Sequence, residues 1–217
     1  MKKLVLMLCL ALLVPGCSLF QEEYGMEKNA EQLVAEGSSA FMAEDYKTAK
    51  KAYTDLKDWY PFSRYAILAE LKIADSHFHL EEYAEAIMAY EEFERLHPRN
   101  EAIPYVIYQI GLSWFNQLGT IDRDHTPAQK ALAQFDRLRD QFPDSEYAQQ
   151  ALEKYDKCMG HLSGHELYVA NFYMRTKKYK AALKRYEYLI EHYPESKESQ
   201  EAFKKIPLAR QLAGENQ

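Results

Sequence analysis

Few residues of this 217-residue chain stand at spacings that could do chemistry. His161 and His165 lie four apart, the spacing that sets two imidazoles on one helix face where they could share a metal ion. No Cys or third His completes a ligand set, and Gly160 and Gly164 are positioned to kink or break the helix. His77 and His79 are two apart and point in different directions on a helix, so they read as packing or partner residues. There is no nucleophile elbow, phosphate loop, dinucleotide fingerprint or zinc-protease motif. Glu81-Glu82 and Glu91-Glu92 with Glu94 read as a solvated helix face, or as a surface that steers a basic partner. No catalytic residue, metal or cofactor is expected. A cell-wall enzyme on a helical scaffold would need a catalytic domain for which no residues remain.

Cys17 is a different kind of chemical residue. Lys2 and Lys3 precede an 11-residue apolar run, Leu4 to Val14, too short to span a membrane. The run closes in Val14-Pro15-Gly16-Cys17, which resembles a bacterial lipobox. That resemblance makes residues 1–16 a signal peptide, Cys17 a lipidated first residue and 17–28 a tether. Ser18 after the Cys then favours the outer membrane. The alternative is an ordinary secretory signal with an incidental Cys. Loss of Lys2 and Lys3 takes the formal charge from −6 to −8, and only Cys158 is left as a thiol, so no internal disulfide is expected. An acidic chain of this kind does not fit a general nucleic-acid binder. Eight Gly and eight Pro argue against collagenous or Pro-rich disorder.

The elements that position these residues are set by a repeat. Tyr46, Ala49 and Tyr53 recur as Tyr83, Ala86 and Tyr90, as Ala128, Ala131 and Phe135, and as Tyr179, Ala182 and Tyr186. Pro61, Pro98, Pro143 and Pro194 follow, and all three landmarks step by 37, 45 and 51 residues. Small residues Gly37, Ala74, Gly111 and Ala170 lie upstream, where they let two antiparallel helices approach closely. Ser63, Asn100, Ser145 and Ser196 stand two residues after each proline as helix caps. The pattern resembles the tetratricopeptide repeat. It predicts an all-α, right-handed solenoid of about five helix-turn-helix units, the last incomplete. Helices are expected at 29–43, 46–59, 64–80, 83–96, 101–118, 127–141, 146–176, 179–192 and 197–212. The third unit carries an insertion, 116–126, in which Thr126-Pro127 reads as an N-cap and first helical residue.

In this repeat class four positions of each first helix line the concave face. In the first three units these are Glu31, Val34, Ser38 and Phe41, then Leu68, Leu71, Asp75 and Phe78, then Tyr105, Tyr108, Leu112 and Phe115. Nine of the twelve are apolar or aromatic. Either they form a groove for an extended peptide, or tight curvature packs them against one another. In the fourth unit, Arg175, Lys177, Lys178 and Lys180 form a basic cluster on a distinct C-terminal surface.

Trp59-Tyr60-Pro61-Phe62-Ser63-Arg64-Tyr65-Ala66, the opening of the third unit at His97-Pro98 with Tyr105, Tyr108 and Gly111-Leu112, and Asp122-Arg123-Asp124 before Ala128, Ala131, Phe135 and Phe142-Pro143-Asp144-Ser145-x-Tyr147-Ala148 carry a more specific likeness. With the lipobox, the insertion and a long seventh helix, they resemble the BamD family of β-barrel assembly lipoproteins. The resemblance covers nearly the whole mature chain. It implies a non-catalytic scaffold, lipid-anchored at the periplasmic face of the outer membrane. Its implied partners are a BamA-type barrel protein, unfolded outer-membrane proteins and other assembly lipoproteins. It implies a peptide-receiving half at 29–145, with Phe41, Leu71, Phe78, Tyr105, Tyr108 and Phe115 as capture residues. It also implies a partner-binding half at 146–217, with Arg175, Lys178 and Arg185. Asp122, Arg123 and Asp124 are expected to order the insertion. The competing reading is another outer-membrane repeat lipoprotein, a secretin pilotin or an envelope or division coordinator.

Overall fold

The structure, a computed structural model, describes residues 28–215. The signal 1–16, Cys17 and the tether up to residue 27 lie outside the described residues. Among the described residues there are nine α-helices and no strand. They are α1 (Ala30–Met42), α2 (Tyr46–Trp59), α3 (Ala66–His79), α4 (Tyr83–Leu96), α5 (Ile103–Phe115), α6 (Thr126–Gln141), α7 (Glu146–Arg175), α8 (Tyr179–His192) and α9 (Lys197–Glu215). Each helix packs mainly on its chain neighbours, which is the tetratricopeptide solenoid.

Local chemistry places the turns. Asn29 caps α1 through a capping box with Gln32, and Ser145 and Ser196 cap α7 and α9 through their hydroxyls. Inside three units the helix pair is joined by a left-handed residue, Glu44, Glu81 or Lys177, each at φ 60°. In the first, Glu44 N–H bonds Phe41 O and Asp45 N–H bonds Ala40 O, the paired bonds of a Schellman ending. Between units, Tyr60, His97, Phe142 and Tyr193 stand before the prolines. A residue before Pro is pushed out of the helical region, so the second helix of each unit stops there.

Several boundaries differ from the sequence expectation. Ser63 and Asn100 do not start helices. Their side chains accept from Tyr65 N–H and Ala102 N–H and close a turn, and α3 and α5 begin at Ala66 and Ile103. The insertion side of α5 ends at Phe115. Thr126 is the first residue of α6, not its cap. Gly160 and Gly164 do not break α7, which runs unbroken for 30 residues.

The 45-residue step is eight residues longer than the first and is absorbed by the insertion. The 51-residue step is fourteen longer and is absorbed by lengthening α7. Fourteen residues are close to four helical turns, about 21 Å, so the two halves of α7 present nearly the same face. The first half packs Ala148, Ala151 and Cys158 into the central core with Tyr90, Phe93, Ile107 and Phe135. The second half packs Ala170 and Leu167 against Ala182, Tyr186 and Leu189. A third core, Leu33, Tyr53, Leu56 and Ala69, holds the first unit. The change of core therefore falls inside α7, beyond the 145/146 division read from the sequence.

Candidate peptide groove and partner surface

The close approach of paired helices is built on the small residues. A Cβ on Gly37 would lie 2.9 Å from the Tyr53 ring, and one on Gly111 would collide with Phe135. The next residue along is matched to the same aromatic. Ser38 shares a 3.0 Å hydrogen bond with the Tyr53 hydroxyl. Tyr90 donates to Asp75 at 2.7 Å, and Tyr186 donates to Asn171 at 2.7 Å. In the third unit the aromatic is Phe135, which needs no acceptor, and the matched residue is Leu112. Ser38 and Asp75 thus face the partner helix, which corrects their reading as groove wall. Asp75 is 2% exposed and also accepts from Tyr105 at 2.8 Å and from Lys72 at 2.8 Å. Gln109 donates in turn to the Tyr105 hydroxyl.

The six residues read as peptide capture are all half-buried. Phe41 packs edge-on to Tyr46 and His79, with the Lys72 ammonium 4.4 Å above its ring. Phe78 packs against His79 and Tyr83. Leu71, Phe78, Tyr105, Tyr108 and Phe115 lie against the central core. The six thus pack on neighbouring rings and on the core, and each keeps a partly open side. Tyr147 extends the row. Its ring sits 5.4 Å from Tyr105 and 5.8 Å from Tyr108. Lys154 stands over Phe115. Sequence reasoning missed Tyr147, Lys72 and Lys154. Tyr147 could have been found from its place two residues after the Ser145 cap, which matches Tyr65 after Ser63.

Burial, then the Asp75 carboxylate, holds the Tyr90 and Tyr105 hydroxyls well above the usual tyrosine range. Burial, then Glu153, raises Tyr108, and burial raises Tyr147. The row is thus neutral and aromatic, with ammonium groups above Phe41 and Phe115. The Lys72 ammonium is at the same time paired to the Asp75 carboxylate at 2.8 Å.

The three basic residues are not brought together. Arg175 lines a hollow of about 400 Å³ with Met174, Lys205 and Leu208. Lys178 lines another with Tyr179 and Ala213, and its ammonium lies 6.0 Å from the Tyr173 ring centre. Arg185 lines a third with Tyr173 and Tyr188 and is paired to the buried Glu166 at 2.9 Å.

The insertion is held from both ends. Asp124 accepts from Thr126 N–H at 2.9 Å and from its hydroxyl at 2.7 Å, and these bonds hold its carboxyl below the usual range. A hydrogen bond from Thr120 does the same for Asp122. His161 Nε2 donates to Gly119 O at 3.1 Å, and His165 Nδ1 donates to Ile121 O at 2.6 Å. The His161/His165 pair therefore straps the insertion to α7. Among the described residues no cluster could hold a metal ion.

A family model described as YfiO, outer membrane lipoprotein, matches residues 26–217. The chain is 30% identical over 232 residues to the outer membrane protein assembly factor BamD of Neisseria meningitidis, covering 100% of this chain and 87% of that one. It is 27% identical to the BamD of Rickettsia prowazekii, covering 98% and 85%. Among solved structures it is similar to the TPR2AB domain of yeast Sti1 in its pHSP90 complex, at 15% identity and a TM-score of 0.47, covering 85% of this chain and 75% of that one.

Proposed function

Because this chain belongs to the YfiO family of outer membrane lipoproteins, the family of the BamD assembly factors, we propose that it is a non-catalytic scaffold for outer-membrane protein assembly. The family match over residues 26–217 carries this reading. Among the described residues no helix is long and apolar enough to cross a membrane. The lipobox-like Val14-Pro15-Gly16-Cys17 supports attachment through lipid on Cys17. The half-buried row Phe41, Leu71, Phe78, Tyr105, Tyr108 and Phe115, extended by Tyr147, receives extended segments of unfolded outer-membrane proteins. A rigid aromatic row costs little ordering entropy when it binds. The C-terminal half binds the periplasmic domains of a BamA-type barrel protein through Arg175, Lys178 and Arg185. Of these Arg175 is the best placed, since Arg185 is already paired within the chain.

The test is an affinity pull-down of the lipidated protein from detergent-solubilised outer membrane, read by mass spectrometry. The expected result is a barrel protein with repeated periplasmic domains, lost on Arg175→Glu. Recovery of a secretin or of division proteins without it would overturn the assembly reading.

A further inference from the structure

All four junctions between repeats use one turn. The carbonyls of Tyr60, His97, Phe142 and Tyr193 accept from the N–H groups of Ser63, Asn100, Ser145 and Ser196 at 2.9, 3.0, 3.0 and 3.0 Å. The residue after each proline is Phe62, Arg99, Asp144 or Glu195, and all four are exposed. The turn makes no demand on that side chain. Three junctions put a charge there, as suits a water-facing position. The first puts a phenyl ring there, and Phe62 is 100% exposed, with Trp59, three residues earlier in the chain, 54% exposed.

A single exposed apolar side chain is ordinary. What sets this pair apart is its location. Tyr60, in the same turn, donates its hydroxyl to the Lys28 carbonyl at 3.0 Å. The chain that leads back to Cys17 therefore leaves the fold at this turn. Ten residues lie between Cys17 and Lys28, and these eleven steps of chain reach at most about 40 Å.

We propose that the turn 59–64 is a membrane-contact loop, with Trp59 and Phe62 seated in the interfacial layer of the phospholipid leaflet that holds Cys17. The proposal rests on the lipid-anchor reading given above. An indole suits the headgroup level, with its ring in the apolar part and its N–H toward water. Arg64, exposed and held against the Tyr65 hydroxyl, offers a guanidinium to lipid phosphate. Two rings alone bind a bilayer weakly. A short tether holds them at millimolar effective concentration, and weak insertion then suffices. The contact fixes which end of the solenoid faces the leaflet.

The test couples the chain from Cys17 onward, through that thiol, to a maleimide-headgroup lipid in vesicles of phosphatidylethanolamine and phosphatidylglycerol. Attachment then does not depend on cellular lipidation, and buried Cys158 stays unreacted. Trp114→Phe leaves Trp59 as the sole tryptophan of the two. Trp59 emission is expected to shift to the blue and to fall about twofold with lipids brominated near the headgroup. Phe62→Ser, a surface change, should remove most of that quenching. Unquenched Trp59 on attached protein overturns the loop and leaves the turn to a protein partner. The mass of the Cys17 peptide from native membranes is read separately. An unmodified Cys17 overturns the anchor, whereas a lipidated Cys17 with unquenched Trp59 overturns the loop alone.

Discussion

The residue after each interhelical small residue was legible as a position but not as a role. Counting along a repeat frame places Asp75 on the concave face, yet its carboxylate is committed to Tyr90, Tyr105 and Lys72. The signal lay in the comparison between units, where Ser, Asp and Asn accompany Tyr and Leu accompanies Phe. Asp75→Leu should cost about 3 kcal/mol, because it leaves two largely buried hydroxyls without an acceptor. Adding Tyr90→Phe should recover about 1 kcal/mol of that by removing one orphan. Equilibrium urea unfolding of both variants measures this, and a double variant no more stable than the single would refute the pairing. Buried acids set a second expectation. Burial pushes the Cys158 thiol up to about 12. Its folded value is raised, so its contribution is intact below the unfolded pKa, about 9, and is lost as pH rises toward 12. Tyr90 and Tyr105 act in the same direction. Stability should therefore decline through that alkaline window, and native Cys158 should resist iodoacetamide at pH 8 until the chain is unfolded.

Helix number and order were readable from the landmarks, because aromatic, alanine and proline keep one register and each has a separate mechanical reason. Helix starts were less readable. Ser63 and Asn100 are capping types that close a turn first, and only the structure distinguishes that from capping a helix. A break expected at Gly160 or Gly164 does not occur; propensity alone cannot register the buried residues on both sides of them. The glycines themselves differ. Gly111 has no room for a Cβ beside Phe135, whereas a Cβ on Gly160 meets nothing within 4 Å. Gly111→Ala should destabilise by about 1–3 kcal/mol through overpacking. Gly160→Ala should stabilise by about 1 kcal/mol through helix propensity. Thermal unfolding of the two variants should thus move in opposite directions, and a shift of the same sign in both would contradict this account of Gly111 in α5 and Gly160 in α7.

At the scale of the molecule, the lengthened α7 does more than fill the fourteen extra residues. It carries the chain out of the central core, which ends at Cys158, and into a separate core built with α8 and α9. A solenoid whose units touch only their neighbours has a stability that is roughly a sum of units and interfaces, so its parts can open independently. The aromatic row and the basic hollows lie on opposite sides of this hand-over. A strain imposed at Arg175 would then reach α8 and α9 before it reaches Tyr105 or Phe115. Leu189 is fully buried in the C-terminal core, and truncating it to Ala should cost about 2–4 kcal/mol. The cost should be local. Hydrogen exchange of the Leu189→Ala variant should show protection lost in α8, α9 and the second half of α7, while α3 to α6 retain theirs. Uniform loss across all helices would mean that α7 transmits rigidly, and that the aromatic row and the basic hollows share one cooperative body.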